Sequence, residues 1–272
     1  MQAFAQNQTP PATGPQPERD IDFMGAVKFV FTLERPWNTI LLATVTLLIP
    51  VIGQFVMYGW HSEIMQRLER KHPRPIPDFN FSDLMHYLSR GLAAFAVQLI
   101  ASLPISIFVG VLFGIGGAVG AIISAGASAS PDEQAMVMLA VFGVVGLVTL
   151  LVAPLLGIIV SAAVTRAEMT ENIGESLSFR PLLAYVKRMW LTIFGATFAM
   201  SLIGMVGSIA GLMCCYFGVF PVAIILGVAM VHIRHQIYQK YLARGGDPIA
   251  LKPAVALPSE LAAQQAQYPY QR

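Results

Sequence analysis

Two pairs of side chains have the types and the spacing of metal ligands. His232 and His235 are three residues apart and would share one face of a helix, and Cys214 and Cys215 are adjacent. Imidazole and thiolate are common ligands of transition metals. The histidines flank an arginine where an apolar run ends, however, which is typical of an interfacial pair, and adjacent cysteines do not have metal-site spacing. Methionines lie near the cysteines but are ordinary fillers of apolar space, namely Met200, Met205 and Met213. We therefore expect no metal and no cofactor.

Catalytic and ion-coupling groups are otherwise missing from the apolar parts of the chain. Ionisable residues inside a membrane are costly and generally mark function, yet apart from His232 the apolar runs contain none. No Ser-His-Asp order or pair of carboxylates lies at membrane depth. The glycines of GIGGAVG at 114–120 precede no phosphate-binding lysine, so they do not form a nucleotide loop. The sequence predicts a protein that is not an enzyme.

Gln54 and Gln98 are the uncharged polar exceptions in these runs. An amide at membrane depth can orient a ligand, or it can form a hydrogen bond with a neighbouring helix, which is the commoner role. Both possibilities stay open at this point, and the first would provide a neutral path for a solute.

The composition indicates that these residues lie on or between membrane-spanning helices. Hydrophobic residues make up 56% of the 272 residues and charged residues 12%, against about 25% charged in a typical soluble protein. Uncharged runs are transmembrane candidates because about 20 helical residues cross a hydrocarbon core roughly 30 Å thick. Four full spans are predicted within Gly91–Ile123, Ala135–Val164, Trp190–Met213 and Tyr216–Ile233. The expected fold class is an all-α bundle of a polytopic integral membrane protein.

Lysine and arginine are concentrated in alternate loops, which predicts an orientation. The segment 61–90 contains five, 166–189 contains four and the chain after residue 233 contains five, whereas 124–134 and 214–215 contain none. By the positive-inside rule the basic segments face the cytoplasm. We expect a multi-pass protein of the bacterial cytoplasmic (inner) membrane with a cytoplasmic C-terminus.

The first apolar element, Trp37–Trp60, can be interpreted in two ways. The arm before it is basic, with Arg35 at its end, and a single crossing would place that arm outside. Pro50 removes a backbone donor and Gly53 permits a sharp change of direction. A re-entrant helical hairpin would keep the N-terminus cytoplasmic, whereas a proline-kinked full span would expose it.

A ten-residue pattern recurs at the start of two apolar elements, as RPWNTILLAT from Arg35 and as RMWLTIFGAT from Arg188. Arginine reaches headgroups and tryptophan prefers the membrane interface. Shared anchoring is therefore one explanation and internal duplication is another. The interface anchors predicted from the first explanation are Arg35, Trp37, Trp60 and Trp190.

Basic side chains lie beside apolar residues in QRLERKHPRP and FRPLLAYVKRMW. Such a pattern binds anionic headgroups with about 1 kcal/mol per basic residue, although the same charges also determine topology. The candidate lipid-binding or partner-binding residues are Arg67, Arg70, Lys71, Arg74, Arg180, Lys187 and Arg188.

Both ends of the chain have the composition of flexible segments, rich in Pro, Gln and Ala. We expect a disordered tail at 1–19, a helical membrane domain at 20–245 and a second disordered tail at 246–272.

Several motifs together resemble a known family. They are a tryptophan entering an apolar run, Ile-Pro-x-x-Gly at 49–53, Gly-Trp at 59–60, FNFSDL at 79–84, Arg-Gly-Leu at 90–92, ESLSFRPLLAYVKRMW at 175–190 and HIRHQIYQKYLARG at 232–245. This set is similar to the bacterial and archaeal multi-pass proteins of domain-of-unknown-function family four thousand and thirteen, over residues 35–245. At 76–79 the chain has Ile-Pro-Asp-Phe where the family usually has Leu-Pro-x-Trp. The resemblance implies a fold and a membrane location but no reaction.

Taken together, these features favour a non-catalytic membrane scaffold or accessory subunit. Its cytoplasmic face would bind membrane lipids of anionic charge or a protein partner in the membrane, and no nucleic acid. The alternative is a passive or lipid-handling transporter or channel for a neutral or amphipathic substrate, with Gln54 and Gln98 along its path.

Overall fold

The computed structural model describes residues 20–126, 130–213 and 217–267 of the chain. These residues form α-helices and short 3₁₀ turns and contain no strand. The predicted N-terminal tail at 1–19 and the Cys214–Cys215 pair lie outside the described residues. The α-helices are α1 (Phe23–Phe29), α2 (Pro36–Leu47), α3 (Ile52–Glu69), α4 (Leu84–Gly126), α5 (Pro131–Thr170), α6 (Ile173–Ser176), α7 (Phe179–Met213), α8 (Val219–Ala243) and α9 (Pro258–Gln267).

Four of these helices, α4, α5, α7 and α8, are long and apolar enough to cross a membrane. They coincide with the four predicted spans and confirm the all-helical class. Pro104 and Pro154 lie inside α4 and α5 without ending them. The glycines at 110–126 are also part of α4, which is continuous to Gly126.

The bundle closes on itself through its last long helix. Each of α3, α4 and α5 packs against the next long helix along the chain, and α7 packs against α8. Helix α8 also contacts α1, α2, α3 and α5. The N-terminal helices α1, α2 and α3 therefore pack against the last long helix of the bundle.

The segment predicted to form a helical hairpin consists of α2 and α3, separated by a turn at residues 48–51. Val51 in this turn has φ +65°, an unusual conformation for a β-branched residue. Phe29, before α2, stacks on His232 of α8 with ring centroids 4.4 Å apart. Glu69, at the end of α3, lies 3.2 Å from the ring nitrogen of His235 of α8. The end of α1 and the end of α3 thus lie beside the same part of α8.

Helices α3 and α4 approach so closely that their backbones touch. A methyl group on Gly59 of α3 would collide with the carbonyl oxygen of Tyr87 of α4, and one on Gly91 of α4 would collide with that of Phe55 of α3. The two glycines therefore face each other across one contact. No other residue type fits this distance.

The C-terminal segment packs onto the bundle, so the prediction of a flexible tail was wrong for residues 246–267. Ile249 and Leu257 are only 8% and 1% exposed. The backbone N–H of Lys252 donates to the carbonyl of Met169 at 3.1 Å. The segment has no helix between Ala243 and Pro258. Only single residues in it, such as Ile249 and Leu257, are buried, and the average composition of the segment does not reveal them.

Candidate functional site

A network of buried charged side chains joins α3, α4, α5 and α8 at one end of the bundle, which we call the charged end. Its three carboxylates and three guanidinium groups have side chains at most 11% exposed. One buried amide lies between them. The members are Glu63, Gln66 and Arg67 of α3, Arg90 of α4, Glu168 at the end of α5, Glu171 just after it, and Arg234 of α8.

Arg90 contacts three other members of this network. Its Nε donates to Oε1 of Glu171 at 2.5 Å, and one of its terminal nitrogens donates to Oε1 of Gln66 at 2.8 Å. The other terminal nitrogen forms an ion pair with Glu63. Arg90 directly precedes Gly91, so the close approach of α3 and α4 brings Glu63 within reach of it.

Gln66 connects the charged groups to one another. Its Nε2 donates to the Glu168 carbonyl at 3.0 Å and to Oε1 of Glu171 at 2.8 Å. Its Oε1 accepts hydrogen bonds from Arg90 and Arg70 at 2.8 and 3.2 Å. Both donors and both acceptor sites of this fully buried amide are used.

Two further arginine pairs complete the network. Arg234 of α8 donates to both oxygens of Glu168, at 2.5 and 3.1 Å. Arg67 donates to Glu63 one helical turn earlier, at 2.5 Å, and to Glu260 of α9 at 2.7 Å. Each guanidinium group is thus held by at least one carboxylate from another helix or turn.

Glu171 reaches the network because of an unusual backbone conformation. It ends α5 with φ +51°, and its N–H donates to the Ala167 carbonyl. Burial alone would raise the pKa of its carboxyl group, but the hydrogen bond and charge of Arg90, followed by those of Lys252, bring the pKa below its usual value. Glu171 is therefore ionised at neutral pH.

The network is chemically closed, since its polar groups bind one another. The described residues contain no group of three or more His, Cys, Asp or Glu side chains that could hold a metal ion. Of the two histidines considered as ligands, His232 contacts Gln236 and stacks on Phe29, while His235 contacts Glu69. Buried ion pairs gain little net stability after desolvation, but removing one partner is severely destabilising. The arrangement can fix the relative positions of four helices.

The structure divides the seven predicted lipid-binding residues into two groups. Arg67, predicted to bind lipid or a partner, is 5% exposed and pairs with two carboxylates, so its side chain is not exposed to lipid headgroups. Arg70 is half-buried and donates to Gln66 and to the Lys252 carbonyl. The others have exposed side chains, namely Lys71, Arg74, Arg180, Lys187 and Arg188.

Among these exposed residues, Arg74 pairs with Glu34 at 3.3 Å and Arg188 donates to the Gly245 carbonyl at 2.5 Å. Lys71 and Arg74 lie in the link after α3, whereas the basic residues at 180–188 lie on α7.

Three of the four predicted interface anchors are exposed. Trp37 and Trp190 are 63% and 51% exposed, and Arg35 is exposed beside the first of them. Trp60 is fully buried and its ring nitrogen donates to the Pro77 carbonyl at 3.2 Å. The anchor assignment of Trp60 was therefore wrong, because the proline-rich link folds back over it.

The repeated decamer has the same burial pattern in both copies. Ile40 and Ile193 are completely buried, and Ala43 and Ala196 are 0% and 2% exposed. In each copy the tryptophan faces outward. The identical residues of the two copies thus occupy equivalent positions, with isoleucine and alanine on the buried face of each helix and tryptophan on the exposed face.

The two intramembrane glutamines do not share an environment. Gln54 of α3 is exposed, whereas Gln98 of α4 is half-buried.

Sequence reasoning missed most of the network, including Glu63, Gln66, Glu168, Glu171 and Arg234. One signal was present, since Glu63, Gln66 and Arg67 follow a spacing of three and four residues that puts them on one helix face. The pattern alone did not show that this face turns inward.

The fold and this site define a class, a helical multi-pass membrane protein whose charged groups are joined at one end of the bundle. The chain belongs to the family described as "Protein of unknown function (DUF4013)", whose model matches residues 42–216. The match confirms the resemblance noted in the sequence, although the motifs at 35–41 and 232–245 lie outside the matched range. No curated protein matches the chain, and no solved structure matches it.

Proposed function

We propose that this protein is a non-catalytic scaffold or accessory subunit of the bacterial cytoplasmic membrane, whose charged end faces the cytoplasm and binds anionic lipid or a protein partner. The observation that carries the proposal is the division of its charges. The buried acidic and basic groups neutralise one another in the network. Basic side chains such as Lys28, Arg35 and Lys187 remain exposed for other molecules.

The lipid-binding part of the proposal concerns the basic residues that precede the exposed tryptophans Trp37 of α2 and Trp190 of α7. Arg35 lies two residues before Trp37, and Lys187 three residues before Trp190. Tryptophan prefers the headgroup level of the bilayer, so both basic groups would lie where phosphates are. Arg180 lies ten residues before Trp190 on the same helix, about 15 Å further along its axis, and would lie beyond the headgroups.

We expect the double variant Arg35→Gln, Lys187→Gln to bind phosphatidylglycerol more weakly, by about fivefold for each residue. The measurement is a titration of the protein, reconstituted in phosphatidylcholine nanodiscs, with fluorescent phosphatidylglycerol at low and high salt. The control variant Lys71→Gln, Arg180→Gln removes the same charge away from the tryptophans and should bind like the original protein. Equal losses in the two variants would contradict the assignment.

The same proposal makes α2 and α3 a re-entrant hairpin. Helix α2 has 12 residues, or about 18 Å, which is shorter than the hydrocarbon core of roughly 30 Å. Phe29 of α1, before the hairpin, contacts His232 of α8, and Glu69 at the end of α3 contacts His235 of the same helix. These observations support an N-terminus on the same side as the C-terminus.

We expect a single cysteine introduced at Asn38 and one at Arg74 to react with an impermeant maleimide only after the cytoplasmic side of membrane vesicles is opened. A cysteine at Asp132, before α5, should react from the opposite side and serves as the control. Labelling of the Asn38 position together with the Asp132 position would rule out the hairpin and require a full span.

A further inference from the structure

The C-terminal segment is attached to the charged end by side chains spaced along it. Leu257 is 1% exposed and belongs to the main apolar core. Ser259 donates its backbone N–H and its hydroxyl group to the two oxygens of Asp83, at 2.9 and 2.6 Å. Glu260 accepts from Arg67 at 2.7 Å. Four consecutive residues, Leu-Pro-Ser-Glu, thus supply one apolar and two polar anchors.

The contacts continue towards the beginning of the segment. The Nζ of Lys252 donates to Glu171 at 2.7 Å, and Ile249 donates its backbone N–H to the Tyr238 hydroxyl at 2.9 Å. Oppositely charged groups therefore face each other at both ends of the segment. Lys252 meets an acidic residue, and Glu260 meets a basic one.

The surface beneath the segment consists of groups that need partners. Asp83 is completely buried, and its other side-chain contact is the Ser82 hydroxyl at 3.4 Å. Arg67 is 5% exposed and without Glu260 would keep Glu63 as its carboxylate partner. This buried acid and buried base bind two adjacent residues of the segment, and an apolar site holds Leu257. Together they form a recognition surface for an extended peptide.

The segment is also attached weakly enough to leave. Between Ala243, where α8 ends, and Pro258, where α9 begins, the chain contains no helix. Helix α9 itself has exposed apolar side chains such as Leu261, which is 46% exposed. Its contacts to the bundle are side-chain contacts and single backbone bonds rather than a shared helix interface. Local opening of such segments costs less than global unfolding.

We propose that this surface, formed around Arg67 and Asp83, is a docking site for an extended segment of a partner protein, and that the chain's own C-terminal segment occupies it at rest. The partner segment carries an apolar residue, a serine or threonine two positions later and a carboxylate directly after it, as in Leu257–Glu260. It must displace the C-terminal segment to bind. The proposal deepens the partner-binding half of the proposed function and is independent of the lipid-binding residues Arg35 and Lys187.

The test uses the full chain with the variant Ser259→Ala, Glu260→Gln, which weakens the internal contact without touching the docking surface. A fluorescent peptide with the sequence of residues 247–267 is titrated against the variant and the original protein in detergent. We expect binding to the variant at least tenfold tighter than to the original protein. A control peptide with the same two substitutions should not bind to either.

Equal affinity of the peptide for both proteins, or equal binding of both peptides to the variant, would overturn the proposal. Hydrogen exchange on the original protein provides a second measurement that does not depend on the variant folding. Amides of Ile249 and Lys252 should exchange faster than those of α3 and α4, through local opening. Exchange of all these amides at one common rate would show that the segment does not open and would also overturn it. The lipid titration can fail while this test succeeds, so the two proposals are distinguishable.

Discussion

Replacing Gly91 by alanine is expected to lower the free energy of unfolding by about 3 kcal/mol. The added methyl group collides with the carbonyl oxygen of Phe55, which is backbone and cannot rotate away. Helices α3 and α4 must therefore separate, and the Glu63–Arg90 ion pair beside the contact is pulled apart. Unfolding in mixed detergent micelles, followed by circular dichroism, measures the loss.

The same substitution at Gly114 on the same helix is the matched control. A methyl group there meets nothing within 4 Å, and alanine is the better helix former by about 0.5–1 kcal/mol. The Gly114→Ala variant should therefore unfold at the same midpoint as the original protein or at a slightly higher one. A similar loss of unfolding free energy in both variants would show that the destabilisation does not come from the contact between α3 and α4.

Replacing Arg90 by leucine is expected to destabilise the protein by about 3–5 kcal/mol. The substitution leaves Glu63 and Glu171 buried without their shared guanidinium group, and it removes a donor to Gln66. Adding Glu171→Gln to this variant should restore part of the stability, because it removes the charge of one of the two buried carboxylates that lose the Arg90 guanidinium group. Denaturant midpoints of the single and double variants give the comparison.

The control for this prediction is Arg74→Leu, which removes an arginine from an exposed pair. Arg74 and Glu34 have side chains 74% and 76% exposed, and exposed ion pairs contribute about 0–1 kcal/mol. If Arg90→Leu costs no more than Arg74→Leu, the buried network does not hold the helices together.

The membrane spans could be predicted because charged residues are largely excluded from segments that lie in the hydrocarbon core of a membrane. A helix in hydrocarbon cannot tolerate ionisable residues at random, so the uncharged runs before Ile123 and after Trp190 identified α4 and α7 directly. The turn between α2 and α3 was also indicated, since Pro50 and Gly53 mark it locally. These predictions depended on near neighbours in the sequence.

The network could not be predicted to the same extent because it depends on which side of each helix turns inward. Arg67 has the sequence surroundings of a headgroup-binding residue, yet a carboxylate 193 residues later in the chain pairs with it. Trp60 has the surroundings of an interface anchor, but the loop containing Pro77 covers it. Contacts with residues distant in the sequence bury both side chains, and the sequence around each of them does not indicate these contacts.

The path of the chain through the charged end has a consequence for biosynthesis. A polypeptide is made from its N-terminus, and its parts fold as they become available. Arg67 is made 193 residues before its partner Glu260, and Asp83 is made 176 residues before its partner Ser259. Glu168 is likewise made before Arg234, which donates a hydrogen bond to its carboxylate. Helices α3 to α5 are therefore made before Arg234 and Ser259 are available, and an incomplete chain carries the Glu168 and Asp83 carboxylates without these partners.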